Sequence, residues 1–360
     1  MSELYPLRLS PSWRQKIWGS ADLSPFFGPG AHLAPETAAT PEQAGRAIGA
    51  APGGLPVGEV WYTFEENTIA NGALAGRTLG DLMASEGANL MGTAFRLSRL
   101  QRRSAGEGAS QRLPRSAVPA SPYFPILIKF LFTSDRLSVQ VHPDDTYAIE
   151  QENSSGKTEM WYVLRAEPGA AIALGLRKSF SPDELRRAAL TGEIAEHLNW
   201  VPVRAGDCIF CPAGTLHSIG PGLALCEIQQ NSDLTYRLYD FGRLGGDGRP
   251  RELHIDRAVE VARLAPHPGP HRPEPFSLKG FQAEALVVCE YFRVERLACC
   301  SDQDYEPEPS RMHLLVIVKG RGKLDREPYE PGNVFLIPSA LPPFRWRPQE
   351  PTVALRAYLP

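Results

Sequence analysis

The sequence predicts a mainly β protein of the barrel or sandwich type. Short segments rich in valine, isoleucine, leucine and aromatic residues, such as 125–132, 160–164 and 314–318, alternate with turns rich in glycine and proline. The chain contains 34 prolines among 360 residues, and a proline inside a helix removes a backbone hydrogen bond and clashes with the preceding turn. Long helices are therefore not expected as the main architecture.

Two segments carry helix signals, at about residues 78–100 and 181–198. In the first, a helical pattern follows a threonine, and we expect the helix to end at Gly87, because glycine accepts the left-handed conformation common at helix ends. In the second, Ser181 stands where its hydroxyl would cap the first turn, and Pro182 has the fixed φ that suits the first helical position. The helices are expected to be small additions to a β framework.

Composition divides the chain into two predicted domains. Prolines alternate with other residues over 265–275, which is typical of an extended linker. This linker separates a larger domain, residues 1–264, from a smaller one, residues 276–360. Within the larger domain, residues 101–122 are rich in glycine, serine and arginine and predict a flexible insert. Its arginines could cover an anionic substrate, but an inert insertion is the simpler interpretation.

The charge balance argues against nucleic acid or a membrane as a partner. The chain has 38 lysines and arginines against 41 aspartates and glutamates, a formal net charge of −3. The longest apolar run, residues 124–132, contains Lys129 and is too short to span a bilayer, and the first residues lack the pattern of a signal peptide. We expect a cytoplasmic protein that meets a small anionic substrate with local cations.

The six cysteines are too sparse in 360 residues to predict a disulfide framework. Cys208 and Cys211 have the spacing of a redox or metal pair, yet they lie in a strand-like stretch. Side chains three residues apart on a strand face opposite sides of the sheet. We expect reduced thiols that pack separately.

Three short segments offer four potential metal ligands: Gln140, His142, Glu159 and His217. Alternate side chains of a strand share a face, so Gln140 and His142 point the same way, as do Lys157 and Glu159. A Pro-x-Gly turn before His217 would direct a third strand inward and bring a second imidazole to the carboxylate. A mixed oxygen and nitrogen shell suits a divalent Lewis acid such as zinc. The pattern predicts one Zn²⁺ per chain, with manganese, cobalt and iron as alternatives.

Either histidine alone is more often a hydrogen-bonded core residue than a ligand. The glycines and proline of residues 206–214, spaced as they are before His217, nevertheless resemble the second sequence motif of the cupin barrels. Gln140-x-His142 followed by Glu159 resembles the first motif. The two motifs together imply a cupin barrel around the four ligands.

A decayed internal repeat predicts a second barrel. Residues 332–338 repeat the glycine-x5-proline spacing of residues 206–212, after which Ala340 replaces the second glycine and Pro343 stands where the histidine would be. This degenerate copy is expected to bind no metal of its own, with His313 as a strand residue. The predicted architecture is two cupin-type (jelly-roll) β-barrels with a small helical segment.

The chain resembles the type I mannose-6-phosphate isomerases, in their shorter bacterial form, over most of its first 243 residues. The matching phrases occur in the family's order and include Lys16-Ile17-Trp18-Gly19, Gly58-Glu59-Val60-Trp61, Gln140-Val141-His142-Pro143, Lys157-Thr158-Glu159-Met160-Trp161, Glu227-Ile228-Gln229 and Thr235-Tyr236-Arg237. Ser218 in place of a frequent alanine and the insert at 101–122 are departures that remove no candidate ligand.

This resemblance implies the interconversion of mannose 6-phosphate and fructose 6-phosphate, in which a proton moves between C2 and C1 through an enediol. The reaction needs a cation beside the two reacting oxygens, an acid–base group and cations for the phosphate. The resemblance implies Lys157, Arg237 and Glu227 as catalytic candidates, and Trp18, Glu59, Lys129 and again Arg237 as substrate-binding candidates.

The group that takes the C2 proton stays open among Lys157, Glu227 and a water on the metal. Lys157 would lie against the cation, and we expect this neighbour and partial burial to lower its pKa. Arg237 stays charged at ordinary pH and can make forked contacts with oxyanions, either the phosphate or the enediolate.

Three other functions compete with this interpretation. A related isomerase could prefer another aldose. An iron-dependent cupin dioxygenase would usually have two histidines in the first motif, where this chain has Gln140 and one histidine. A non-catalytic sugar-binding cupin would not need Lys157 and Arg237 beside the four ligands.

Overall fold

Strands dominate the structure and pair antiparallel throughout its four sheets. The computed structural model describes residues 4–27, 55–93, 124–269 and 272–360. The predicted insert at 101–122 and the last part of the first predicted helical segment lie outside these ranges. The mainly β class predicted from the sequence is confirmed.

The first part of the chain forms two sheets and supplies one strand to a third. Its strands are β1 (Leu7–Arg8), β2 (Ser12–Ser20), β3 (Val57–Trp61), β4 (Ile126–Thr133), β5 (Val139–Val141), β6 (Glu159–Ala166), β7 (Ala171–Leu176), β8 (Leu198–Pro202), β9 (Cys208–Cys211), β10 (His217–Ile219), β11 (Leu223–Gln230) and β12 (Tyr236–Tyr239). The six-stranded sheet has the order β2-β3-β4-β11-β6-β9, and the five-stranded sheet has the order β12-β5-β10-β7-β8. Every residue of β4 and β11 is buried, because other elements cover both faces of these central strands.

The C-terminal part forms two further sheets. Its strands are β13 (Glu274–Leu278), β14 (Phe281–Val288), β15 (Arg293–Cys299), β16 (Gln303–Tyr305), β17 (His313–Lys319), β18 (Gly322–Leu324), β19 (Glu327–Tyr329), β20 (Val334–Ile337), β21 (Phe344–Pro348) and β22 (Thr352–Tyr358). The seven-stranded sheet has the order β1-β20-β17-β22-β15-β14-β13, and the four-stranded sheet has the order β16-β21-β18-β19.

Two features differ from the simple division expected at residues 265–275. Strand β1 pairs with β20, with Leu7 opposite Leu336, so the N-terminal strand belongs to a C-terminal sheet. Strand β13 begins at Glu274, inside the predicted linker. The division into two domains at this linker stays a prediction.

The largest apolar cluster joins the two parts of the chain. Alternate residues of β4, including Ile128 and Phe130, share this cluster with Leu314 and Val316 of β17 and with Leu355 of β22. Fully burying a side chain of this size contributes about 1.5–3 kcal/mol. The six-stranded and seven-stranded sheets therefore stabilise each other. Each contributes the face that is turned away from the interior of its own pair of sheets.

Within the described ranges, helices are few and short, as predicted. They are α1 (Leu79–Met91), α2 (Asp145–Glu152), α3 (Pro182–Thr191), α4 (Ile194–His197) and α5 (Ile255–Val261), with a 3-10 turn at Gly72–Leu74. Among the described residues, no helix has the length and apolar character needed to cross a membrane.

Helix α1 continues through Gly87, so the expected end at this glycine is wrong. Leu90 and Met91 in the last turn are buried. The amides of Ser339 and Ala340 donate to carbonyls of the same turn, each at 3.0 Å. These tertiary contacts outweigh the preference against a helical glycine, which is about 1 kcal/mol.

Helix α3 begins where the sequence predicts, and α3 and α4 together cover the helical segment expected at about 181–198, with an interruption at residues 192–193. Ser181 and Glu184 form a reciprocal capping box, and Pro182 occupies the first turn. Gly192 then takes a φ of 83° and ends the helix. After the single turn of α4, the chain is already extended in β8.

Strand registers show which residues of the two copies of the repeat occupy equivalent positions. Cys211 and Ile337 each lie five residues after the glycine that opens their repeat. Cys211 pairs with Glu159, and Ile337 pairs with His313. His313 is a strand residue, as expected, and it occupies the position in the C-terminal sheets that Glu159 occupies in the first pair of sheets.

The same registers show a second pair of equivalent positions, at which the acidic and the basic residue are exchanged between the two strands. Arg356 faces Glu295 across β22 and β15, where the first pair of sheets has Glu227 facing Lys129 across β11 and β4. Arg356 Nε donates to Glu295 Oε2 at 2.7 Å, and the Tyr358 hydroxyl donates to Oε1 at 2.8 Å. At the corresponding place in the C-terminal sheets, the charges of Arg356 and Glu295 thus neutralise each other.

Candidate active site

Three of the four predicted metal ligands meet in one buried group. The potential ligand atoms of His142, Glu159 and His217 all lie within 4.8 Å of one another, and all three residues are buried. His142 directly follows β5, Glu159 begins β6 and His217 begins β10. The group therefore forms where three strand ends converge between the two sheets.

The turn before His217 is tied to the segment that carries His142. Gly214 has a φ of 83°, a conformation that favours glycine, and its N–H donates to the His142 carbonyl at 2.8 Å. The chain then enters β10, where His217 pairs with Gln140 of β5. The Pro-x-Gly turn predicted from the sequence brings the second imidazole beside the first.

Backbone carbonyls set the tautomer of both imidazoles. His142 Nδ1 lies 2.8 Å from the Leu234 carbonyl oxygen, and His217 Nδ1 lies 2.9 Å from that of Thr215. Because a carbonyl can only accept, each neutral imidazole carries its proton on Nδ1 and presents a lone pair on Nε2. The two Nε2 atoms lie 3.4 Å and 3.2 Å from Glu159 Oε1.

This arrangement fits a divalent cation. Both Glu159 oxygens are buried: Oε2 forms an ion pair with the Lys157 ammonium at 2.9 Å, and Oε1 has no hydrogen-bond partner within the part of the chain that the structure describes. Two imidazole lone pairs directed at a carboxylate repel it, and a cation between them removes the repulsion. Two imidazoles and a carboxylate are also a common donor set for catalytic zinc.

Burial sets the charge of the group. It lowers the pKa of His217 to about 4. Burial also lowers the pKa of His142, and the nearby Lys157 adds to this effect. Burial alone would raise the pKa of Glu159, but Lys157 and the two histidines lower it well below its usual value. Near neutral pH the group consists of two neutral imidazoles and one carboxylate, as metal binding requires.

Gln140 lies at the edge of this group. Its Nε2 is 3.1 Å from His217 Nε2, and the Ser138 hydroxyl donates to its Oε1 at 3.3 Å. The oxygen and nitrogen of an amide are assigned from their contacts, and a half-turn would bring Oε1 toward the group. Gln140 therefore reaches the site, and its part as a fourth ligand stays a prediction.

Lys157 lies against the group, but its pKa moves in the direction opposite to the one expected. Its Nζ is 2.9 Å from Glu159 Oε2 and 3.2 Å from His142 Nε2. Burial lowers the pKa of Lys157, but Glu159, Glu227 and Asp233 together raise it above its ordinary value. The expected lowering took account of burial and a bound cation; it left out the charge of Glu159, which raises the pKa most, and two carboxylates that are distant in sequence.

Glu227 is a buried carboxylate whose pKa lies near neutrality. Burial raises its pKa to about 7, while Lys157 and Lys129 oppose this rise. The Trp161 indole Nε1–H donates to Glu227 Oε1 at 2.8 Å, and Lys129 Nζ lies 3.7 Å from Oε2. A carboxyl group with a pKa near neutrality suits general acid–base work.

Lys129 and Glu59 lie on the same side of the site and are linked through Trp61. Lys129 Nζ is 4.2 Å from the centre of the Trp61 ring and 3.3 Å from Asp233 Oδ1. The Trp61 indole donates to Glu59 Oε2 at 2.7 Å, and Lys16 Nζ lies 3.2 Å from Glu59 Oε1. The structure thus brings these two predicted residues into one chain of charged contacts that reaches Glu227.

Trp18 is buried in the interior between the two sheets. It is 4% exposed and belongs to the same apolar cluster as Leu131 and Trp161. Its predicted part in substrate binding stays a prediction.

Arg237 faces the site from the neighbouring strand. It pairs with Gln140 across β12 and β5, so the two side chains share a face. Its Nη1 donates to the Glu252 carbonyl at 2.8 Å, and its Nε is buried without a hydrogen bond among the described residues. Asp240, one of the acids whose charge acts on Arg237, is engaged by Arg243 and Arg251. Arg237 therefore presents a guanidinium that no described carboxylate neutralises.

Three residues of the site were not assigned a role from the sequence: Trp61, Trp161 and Asp233. Alternation along the strands indicates that Trp61 shares a face with Glu59 and Trp161 with Glu159. It does not indicate that each indole donates to a carboxylate, because the partner of Trp161 comes from another strand. Asp233 follows β11 in a loop, where no periodicity applies.

The cysteine pair is divided as expected. Cys208 belongs to the cluster between the two parts of the chain, and Cys211 belongs to the interior cluster. Cys211 Sγ lies 3.5 Å from His217 Nδ1. Burial raises the pKa of both thiols, so neither is a thiolate ligand near neutral pH.

Known proteins resemble this chain over nearly its whole length. A mannose-6-phosphate isomerase from Streptococcus mutans serotype c is 33% identical over 341 residues, which cover 93% of each chain. The chain belongs to the mannose-6-phosphate isomerase family. A second member, mannose-6-phosphate isomerase ManA from Bacillus subtilis strain 168, is 35% identical over 227 residues, or 62% of this chain and 71% of that protein. No family model matches the chain.

Solved structures of the family support the fold. The crystal structure of the mannose 6-phosphate isomerase from Bacillus subtilis matches with a TM-score of 0.75 and 27% identity, covering 98% of this chain and 99% of that one. A putative mannosephosphate isomerase from Archaeoglobus fulgidus has the same fold, with a TM-score of 0.67, 17% identity and coverage of 100% and 99%. The cupin architecture predicted from the sequence is confirmed.

Proposed function

We propose that the chain interconverts mannose 6-phosphate and fructose 6-phosphate by moving a proton between C2 and C1 through an enediol. The observation that carries this proposal is the buried group of His142, Glu159 and His217 with Glu227 and Lys157 beside it. The Streptococcus mutans relative bears the name of this activity.

His142, Glu159, His217 and the Oε1 of Gln140 would hold one divalent metal, for which zinc is our proposal. When bound, the metal supplies positive charge that stabilises the oxygens at C1 and C2 as the carbonyl migrates. The buried imidazoles are held as neutral donors by the carbonyls of Leu234 and Thr215.

We assign the proton transfer to Glu227. Its pKa of about 7 lets it accept the proton from C2 and return it to C1. Lys157, whose pKa is raised by the surrounding carboxylates, stays an ammonium and donates hydrogen bonds to the sugar oxygens. Lys129 keeps the second oxygen of Glu227 in an electropositive environment without a close hydrogen bond.

Arg237 is our candidate for binding a substrate oxyanion, because its half-buried guanidinium lacks a described carboxylate partner. Glu59 and Trp18 would shape the sugar end of the site. A phosphorylated sugar is thus the proposed small-molecule partner. A cytoplasmic location and the absence of nucleic-acid or membrane partners remain predictions from composition.

A coupled assay tests the function directly. Purified protein loaded with zinc should convert mannose 6-phosphate to fructose 6-phosphate, and glucose 6-phosphate and other aldose phosphates at equal concentration should react more slowly. Faster turnover of another aldose phosphate would reassign the substrate, and no turnover of any aldose phosphate would reject the isomerase proposal.

A further inference from the structure

The indole of Trp161 contacts two functional groups at once. It is fully buried, its Nε1–H donates to Glu227 Oε1 at 2.8 Å, and its ring centre lies 5.3 Å from that of His217 at an interplanar angle of 56°. Strand register explains this arrangement, since Trp161 of β6 lies directly opposite Glu227 of β11.

The other flank of Glu227 makes a much looser contact. Lys129 of β4 lies opposite Glu227 on that side, with Nζ 3.7 Å from Oε2, which is longer than a hydrogen bond. One carboxylate oxygen is therefore fixed by an indole, and among the described residues the other is not fixed by a donor of ordinary geometry. If the indole N–H were absent, the carboxylate would be free to rotate toward Lys129 or Lys157 and form a direct ion pair.

We propose that Trp161 is a positioning residue for the isomerisation: its N–H holds one oxygen of Glu227 so that the other faces the substrate carbon. This inference rests on the proposed function and on the assignment of proton transfer to Glu227. Proton transfer depends steeply on position, and a misplacement of about 1 Å can cost about a hundredfold in rate. The ring also packs on His217, so an exchange that keeps an aromatic ring isolates the role of the N–H.

The test is Trp161→Phe in the zinc-loaded protein. We expect kcat to fall roughly ten- to a hundredfold, with KM within about threefold and one metal per chain retained. With mannose 6-phosphate deuterated at C2, the isotope effect on kcat should increase, because proton transfer becomes more fully rate-limiting. Trp346→Phe is the matched control: this equally buried tryptophan donates to the Tyr329 hydroxyl at 3.0 Å in the C-terminal sheets, and its loss should leave kcat and the isotope effect unchanged.

A double-mutant cycle shows whether the effect passes through Glu227. In the Glu227→Gln background, Trp161→Phe should change kcat by less than about twofold, since the group that it positions is already disabled. If Trp161→Phe does not fold, Glu227→Asp, which withdraws the carboxylate from the indole, should show the same fall in kcat and the same rise in isotope effect.

Several outcomes would overturn the proposal: unchanged kcat in Trp161→Phe, loss of the metal, an unchanged isotope effect, or full multiplicative effects in the cycle. An unchanged kcat in Glu227→Asp would have the same meaning. If the wild-type protein fails to isomerise mannose 6-phosphate, the proposed function fails instead, and the two results are distinguishable in the same assay.

Discussion

Glu159 and Glu227 are both buried carboxylates, but their surroundings give them different charges. Glu159 lies against Lys157 and two imidazoles, which hold its pKa well below the usual range despite burial. Burial raises the pKa of Glu227 to about 7. A permanently ionised carboxylate suits a metal ligand, and one that titrates near neutrality suits proton transfer. In the proposed function, metal binding and acid–base chemistry therefore belong to different carboxylates.

Substitutions at His217 and Lys157 should separate these two tasks. His217→Ala removes a buried donor and should lose metal and activity together. Lys157→Met should keep the metal and lose kcat by roughly a hundredfold, because it removes a cation that acts on the reacting sugar. Metal content measured beside kinetics checks both. Near wild-type turnover of Lys157→Met would give the lysine a structural role.

The pH dependence should report Glu227. Because this group must be ionised to accept the C2 proton, kcat/KM should fall about tenfold per pH unit as the pH decreases below about 7. Burial places the pKa of His217 lower, at about 4, so metal loss should occur only in more acidic solution. Rates and bound metal measured from pH 5 to 8 give the two profiles. Coincident loss of metal and activity near pH 7 would contradict the assignment.

For single residues, the sequence was a better guide to which side chains lie together than to their pKa values. Alternation along strands, together with the Pro-x-Gly turn, predicted the convergence of His142, Glu159 and His217. The raised pKa of Lys157 was not predicted: the expectation gave no weight to the neighbouring Glu159, which raises this pKa most, and Glu227 and Asp233 reach Lys157 from a distant strand and its following loop.

At the scale of elements, the last turn of α1 depends on contacts with the C-terminal part. Gly92, which follows this helix, has a φ of 76°, and a Cβ there would lie 2.4 Å from the backbone of Ser310. Gly92→Ala should therefore destabilise the protein by about 1–3 kcal/mol. A Cβ at Gly87 would meet no atom within 4 Å, so Gly87→Ala, the matched control, should stabilise by about 0.5–1 kcal/mol. Denaturant unfolding measures both, and equal effects would reject the role of this contact.

The ion pair of Arg356 and Glu295 in the C-terminal sheets should contribute to stability but not to catalysis. Arg356→Met leaves Glu295 buried with part of its positive neighbours removed, which should cost about 3–5 kcal/mol. Arg321→Met at an exposed pair with Glu330 should cost less than about 1 kcal/mol. Thermal unfolding and kcat measured together check this, and a loss of kcat in folded Arg356→Met would link the second site to the reaction.

The elements that differ from prediction are those with tertiary partners. The capping box of α3 is local, and the sequence predicted it. The end of α1 was mispredicted, because Ser339 and Ala340 satisfy its last carbonyls from more than two hundred residues away. The equivalence of His313 and Glu159 was also not predicted. The spacing of the repeat points to the turn around Ala340 and Pro343 rather than to the strand that contains His313.

At the scale of the whole molecule, the two cupin units share a core rather than a linker alone. Strand β1 completes a C-terminal sheet, and the cluster around Phe130 and Leu314 spans both parts. Composition could predict the division near residues 265–275 but not this packing. In the sequence each contributing strand is only an apolar segment, which does not indicate its packing partner. The C-terminal unit therefore packs against the back of the six-stranded sheet of the unit that holds the candidate metal site.

The central claim is that one divalent metal, held by His142, Glu159 and His217, is required for isomerisation of mannose 6-phosphate. Dialysis against a strong chelator, followed by elemental analysis and the coupled assay, tests it most directly. We predict that metal-free protein is folded but inactive, and that zinc restores activity with a midpoint at one metal per chain. Full activity in protein shown to be metal-free would contradict this claim.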